Sequence, residues 1–218
     1  MQLYAHPFSS YCWKALIVLY EKGLPFEFRM LGPDHPENGA FVAAAAPLGK
    51  FPVLVDGDRT LIESSIIIEY LDRLAPEPRM IPTDPDQALE VRKFDRLFDH
   101  YVMDALNGFN RFYLRPEDER NSADLRDARA MLDRSYVWFE RWMAGREFAV
   151  TDGFTMADVA AAPALFYADW AHPIPESCPA LKGYRARLLA RPSVARAVDE
   201  ARPWRKYFPP GAPDPDRD

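Results

Sequence analysis

Cysteine, glycine, histidine and long apolar runs are all scarce in this 218-residue sequence. Its two cysteines, Cys12 and Cys178, are too few for a disulfide framework, and no Cys/His cluster has metal-ligand spacing. Neither a stapled scaffold nor a metal centre is expected, and the thiol usage suits a reducing, cytoplasmic compartment. No uncharged apolar stretch approaches the roughly 18 residues of a membrane span. The first residues, MQLYAHPFSSY, carry no basic segment followed by an apolar one, so a soluble, unprocessed chain is expected, with no membrane partner. Positive charge is in deficit too: 27 Lys and Arg face 33 Asp and Glu, a formal net charge of −6. That balance argues against electrostatic nucleic-acid binding. Disorder is excluded by the remainder, since 48% apolar and 28% charged is globular composition.

What the chain has in excess is proline, 21 against 10 glycines, and the prolines fall at boundaries. Gln2 to His6 alternates as a short strand that stops at Pro7, where a ladder donor would be missing. Cys12, Ala15, Leu16 and Leu19 then keep helical spacing from Ser10 to Lys22, and Gly23 with Pro25 ends the helix. Phe26, Phe28 and Met30 alternate as a second strand. A weak Ala-rich helix at Phe41 to Ala46 follows. Val53-Leu54-Val55, Asp56-Gly57-Asp58 and Thr60-Leu61-Ile62 read as a hairpin. Ser64 or Ser65 is placed to cap a helix that carries Ile67, Tyr70, Leu71 and Leu74. The order β-α-β-α-β-β-α builds a small mixed sheet with helices on its faces, a thioredoxin-like arrangement.

Residues 76–86 are Pro-rich and aperiodic, as a stiff linker is. Beyond them every period is helical: Val91 to Val102, Leu125 to Met143, Thr155 to Trp170, Tyr184 to Ala190 and Val194 to Ala201. The expected organisation is therefore α/β plus all-α: domain 1–75, linker 76–86, an all-helical domain 87–208, and a Pro/Asp-rich tail 209–218. Thr155 and Asp158 fit a capping box, and Pro163 falls inside the helix it starts.

Chemistry concentrates where the first loop meets the first helix. Unpaired N–H groups and the helix dipole there favour an anion. Ser9-Ser10-Tyr11-Cys12 has the spacing of a C-x-x-C redox motif whose first cysteine is serine. Serine cannot exchange disulfides, because the nucleophile must be a thiolate. Its hydroxyl can instead hydrogen-bond another molecule's thiolate and lower that thiol's pKa. An N-cap is the plainer role for either serine. Cys12 lies on the helix's apolar stripe and reads as a buried structural thiol, and Cys178 has no cation nearby in sequence to activate it.

Four segments, Phe8-Ser9-Ser10-Tyr11-Cys12-Trp13-Lys14, Gly49-Lys50-Phe51-Pro52-Val53-Leu54, Glu63 to Leu71, and Phe154-Thr155-Met156-Ala157-Asp158, resemble the signature segments of cytosolic glutathione transferases. They occur in the family's order over nearly the whole chain, and the first is most similar to serine-type, zeta-like bacterial members. The resemblance implies reduced glutathione as co-substrate, no metal, and a homodimer. It assigns Ser9 to the glutathione sulfur, with Ser10 as the adjacent alternative. Pro52 becomes a cis-proline that presents the backbone of Phe51 to the cysteinyl part, and Glu63 and Ser64 receive the γ-glutamyl end. Lys50, or less directly His35, would meet the glycyl carboxylate. A bulky apolar electrophile would sit between the domains against Phe8, Tyr11, Tyr101, Phe109, Phe112 and Phe166, with Tyr113, Tyr167 and Trp170 as further aromatics and Trp204, Tyr207 and Phe208 covering the site or packing on the helices. The implied function is conjugation of glutathione to such an electrophile in detoxification. The alternatives are a glutathione-dependent isomerase like maleylacetoacetate isomerase, although that class has Ser-Ser-Cys where this chain has Ser-Ser-Tyr, and a non-catalytic glutathione- or ligand-binding module.

Overall fold

The computed structural model describes residues 1–213; residues 214–218 of the expected tail lie outside the described residues. The chain divides into two compact units, Met1–Ile81 with Ser193–Arg202, and Pro82–Pro192 with the chain from Pro203 onward.

In the first unit the order is β1 (Gln2–Ala5), α1 (Ser10–Glu21), β2 (Glu27–Met30), α2 (Pro36–Ala45), β3 (Val53–Asp56), β4 (Arg59–Ile62) and α3 (Ser64–Leu74). The four strands form one sheet in the order β2-β1-β3-β4. β1 and β2 run parallel and the other pairs antiparallel. A parallel pair needs a crossover, which α1 supplies, whereas β3 and β4 join through a tight turn at Gly57, whose φ of +56° carries no Cβ penalty. Alternation sets the two faces. Tyr4 and Val53 pair across strands and pack with Leu31, Val42 and Ala46, while Tyr4 stacks on Phe41 with ring centroids 4.3 Å apart. Leu3 and Leu54, paired on the other face, are fully buried.

Four details of this unit differ from the sequence reading. α2 begins at Pro36 rather than near Phe41, because proline fits the first helical turn, where its missing N–H is an orphan anyway. α1 is buried on nearly every side from Cys12 to Leu19, not along one stripe. Most of α9 (Pro192–Ala201) clusters with this unit, although its period placed it in the helical domain. The Ser193 hydroxyl donates to Glu21 and the Tyr20 hydroxyl to Glu200, polar ties that hydrophobic periodicity does not register. Residues 75–81 are anchored as well: the N–H groups of Met80 and Ile81 donate to the Asp72 carboxylate at 2.7 and 3.2 Å, and Lys22 Nζ donates to Asp72 and to the carbonyls of Ala75 and Pro78.

The second unit contains α4 (Pro85–Leu97), a π-helical segment (Phe98–Met103), α5 (Asp104–Leu114), α6 (Ser122–Met143), α7 (Met156–Ala171) and α8 (Pro179–Leu189). Asp84 caps α4 by accepting the Gln87 N–H at 2.9 Å, ahead of Pro85 at the first helical position. α7 is apolar on almost all faces and packs on α4 and α8, with Pro163 inside it. Thr155 and Asp158 do form the capping box. Asp158, fully buried, also accepts from the Ala149 N–H at 2.8 Å and the Tyr184 hydroxyl at 2.7 Å. Among the described residues no helix is long and apolar enough to cross a membrane.

Candidate functional site

The loop after β1 is fastened at several points before α1 begins. The His6 carbonyl accepts the Ser9 N–H at 3.0 Å, His6 Nδ1 accepts the Phe8 N–H at 3.1 Å, and the Trp13 indole donates to the Pro7 carbonyl at 2.6 Å. Burial lowers the His6 pKa, which keeps the ring neutral and Nδ1 able to accept. Ser9 is the N-cap of α1 with extended backbone, and its Oγ accepts the Cys12 N–H at 3.4 Å. That bond uses a lone pair of the oxygen, so the hydroxyl can still donate, and the Ser9 side chain also hydrogen-bonds the Cys12 thiol. Ser10 opens the helix, and no acidic side chain occupies the first turn of α1, so its positive end is uncompensated. Capping and anion recognition are therefore compatible at Ser9.

The second group lies at β3 and α3. The Phe51–Pro52 bond is cis. Phe51 is 39% exposed, and Lys50 beside it is exposed. His35 is exposed and lies 3.7 Å from Glu37. The expected cap by Ser64 or Ser65 is not formed. Glu63 holds the cap position with φ 70° and ψ 116° and makes no side-chain cap bond, and both serines lie in the first turn. Glu63 is the sole non-glycine with positive φ among the described residues. Such a conformation costs on the order of 1–3 kcal/mol and is characteristic of functional positions. Ser64 is buried and Glu63 exposed.

In the sequence Lys14 stands out only as part of the Phe8–Lys14 segment. It is 1% exposed, donates from Nζ to Ser65 Oγ at 3.1 Å, and lies 6.0 Å from the centre of the Tyr11 ring. It thus ties α1 to the start of α3, which pack on each other. A lysine inside an otherwise apolar helical stretch was the available signal.

The proposed aromatic set separates by burial. Phe8 and Tyr11 are half-buried in the first unit. In the second, Tyr101 is 52% exposed, and Phe112 is half-buried, edge-on to Tyr113 at 5.1 Å. Phe109 and Phe166, however, are 1% and 2% exposed. They are interior packing residues with no ligand-facing surface in this arrangement: Phe109 follows Gly108, whose close approach to α6 draws that face inward, and Phe166 sits on the all-round-buried α7. Phe208 packs on Tyr167 and Trp170, with centroids 5.9 and 5.4 Å away. Cys12 is fully buried and its thiol pKa is pushed up to about 12 by burial; burial also raises that of Cys178. Among the described residues no group of three or more His, Cys, Asp or Glu could hold a metal ion.

Comparison with known proteins identifies the family. The glutathione S-transferase N-terminal domain model matches residues 3–79 and the C-terminal domain model residues 102–192. An uncharacterized GST-like protein, YibF, of Escherichia coli K12 is 34% identical over 200 residues, 90% of this chain and 97% of that one. A probable maleylacetoacetate isomerase of Vibrio cholerae is 28% identical over 212 residues, 92% of this chain and 96% of that protein. A glutathione S-transferase of Methylobacterium radiotolerans, crystallised with glutathione sulfonate, superimposes with a TM-score of 0.78 at 32% identity, covering 90% of this chain and 93% of that one. With the thioredoxin-like sheet, the helical unit, a serine-capped α1 and a cis-proline before β3 all present, the chain belongs to the glutathione S-transferase family.

Proposed function

We propose that the protein is a glutathione transferase that binds reduced glutathione along the first unit and stabilises its thiolate at Ser9. The observation that carries this is the position of the Ser9 side chain: it caps, with its oxygen, a helix start whose first turn holds no acidic residue. A thiol placed there meets a donor and a helix dipole, which together lower its pKa from about 8.5 toward neutrality. Ser10, the next hydroxyl, assists. The backbone of Phe51 before cis Pro52 takes the cysteinyl part, Glu63 the γ-glutamyl ammonium and Ser64 its carboxylate. Lys50 takes the glycyl carboxylate, because His35 already faces Glu37. The thiolate then adds to an electrophilic carbon of a hydrophobic compound, with Phe8 and Tyr11 of the first unit as aromatic contacts. Proximity and thiolate stabilisation supply most of the rate. A cytoplasmic homodimer acting in detoxification completes the reading.

The test is steady-state kinetics with glutathione and a panel of apolar electrophiles. Ser9→Ala is expected to lower kcat by about 10²–10³-fold, the usual effect of deleting one stabilising donor, with glutathione affinity nearly unchanged. Equal turnover in Ser9→Ala and Ser10→Ala would refute the placement. The near-full-length similarity to a probable maleylacetoacetate isomerase favours a second reading, in which the same thiolate adds reversibly and the product leaves as the geometric isomer. Glutathione-dependent isomerisation of maleylacetoacetate, without conjugation of any electrophile, would select it.

A further inference from the structure

Within the first unit, at the end of α1 and along β2 and α9, lies a cavity of about 680 Å³. Small-molecule sites span roughly 300–1,000 Å³. One side is apolar: Leu19 and Leu24 line it together with Phe26, Phe28 and Met30. The last three share one face by the two-residue period of an extended chain. All three are only half-buried; Phe28 and Met30 lie on β2, an edge strand of the sheet, and Phe26 directly precedes it.

The polar end of the cavity specifies what would enter. The Tyr20 hydroxyl donates to Glu200 Oε2 at 2.5 Å, and Arg196 Nε donates to Glu200 Oε1 at 2.9 Å. Both oxygens of Glu200 are thereby committed and its charge is matched. The Arg196 guanidinium lies over the Tyr20 ring, its central carbon 3.9 Å from the ring centre. Only Nε is engaged, so the Nη1 and Nη2 donors have no acceptor among the described residues. The Arg196 side chain is 59% exposed and lines the cavity. A guanidinium held over an aromatic ring with Nη1 and Nη2 open is a planar fork for a carboxylate. An unpaired cation as ligand would gain nothing here, because the one carboxylate present is saturated. Neither Ser9 nor the glutathione-binding group takes part.

We propose that this cavity binds an amphiphilic monocarboxylate of the medium-chain fatty-acid type, with its carboxylate on Nη1 and Nη2 of Arg196 and its apolar body against Leu24, Phe26, Phe28 and Met30. The test is isothermal titration calorimetry of the full chain with decanoate below its micelle concentration, beside decan-1-ol, which has the same tail without the charge. Decanoate is expected to bind once per chain and to lose at least tenfold in affinity in Arg196→Met, while decan-1-ol binding stays the same in both proteins and so reports an intact cavity. Met30→Glu is expected to weaken both ligands. Saturating glutathione is expected to leave decanoate affinity unchanged, and amide-exchange protection on decanoate binding is expected over residues 23–30 and 193–202. Equal decanoate affinity in the wild type and Arg196→Met, displacement by glutathione, or protection confined to other segments would each overturn the proposal.

Discussion

Replacing Asp158 by alanine tests the packing logic of the helical unit most severely. Its carboxylate is fully buried and accepts from the Thr155 N–H at 2.9 Å, the Thr155 hydroxyl at 3.0 Å, the Ala149 N–H at 2.8 Å and the Tyr184 hydroxyl at 2.7 Å. Burial raises the pKa of this carboxyl, and the hydrogen bonds offset part of that rise. In Asp158→Ala the two hydroxyls can re-aim, but the two backbone amides stay fixed and orphaned. At about 1–3 kcal/mol for each buried unsatisfied donor, and with the capping box gone, the loss is about 3–5 kcal/mol. For a chain of this length that lowers Tm by roughly 6–20 °C. Urea and thermal unfolding followed by circular dichroism measure it. Tyr184→Phe, which removes one donor and leaves the others in place, is expected to cost only about 1 kcal/mol. An Asp158→Ala protein within 1 kcal/mol of wild type, or less affected than Tyr184→Phe, would refute the reasoning.

Three further outcomes follow from other sites. Because burial lowers the His6 pKa below its unfolded value near 6.5, its neutral form stabilises the β1–α1 loop fully above about pH 6.5, and that stability is lost as pH falls through the lowered folded value. Wild type should therefore lose stability faster than His6→Asn on acidification below about pH 6.5, and parallel pH profiles would contradict this. Neither Cys12 nor Cys178 should react with Ellman's reagent in the native protein, whereas both should react in denaturant, since each is buried and its thiolate disfavoured. A Cβ at Gly108 would come within 2.9 Å of Ala128 Cβ, so Gly108→Ala should cost about 1–3 kcal/mol by pushing α5 off α6; an unchanged urea midpoint would show that the helices separate freely.

Much of the architecture was legible because each signal was local. The Asp-Gly hairpin, the stop at Pro7, the Thr155–Asp158 box and the helical periods all depend on a few neighbouring residues, and each appears in the structure. The clustering of α9 with the first unit was not legible, because it rests on single polar contacts between residues 172 to 180 positions apart. The cap of α3 is not legible for a related reason: no residue type in the sequence announces the positive φ at Glu63, which holds the cap position. Aromatic spacing exposed its own weakness. Phe109 lies three residues from Phe112 on α5 and Phe166 four from Trp170 on α7, yet only burial separates interior packing from surface. The π-helical segment shifts that period within one helix and brings Tyr101 outward while Phe98 and Val102 stay buried.

The ionisation of bound glutathione bears most directly on Ser9. Titrating the ultraviolet absorbance of the thiolate in the glutathione complex of wild type and Ser9→Ala separates thiol activation from binding and from the choice of electrophile. The account predicts a bound thiol pKa well below about 8.5 in wild type and a return close to that value in Ser9→Ala, with glutathione still bound. The same depressed pKa in both proteins would contradict it.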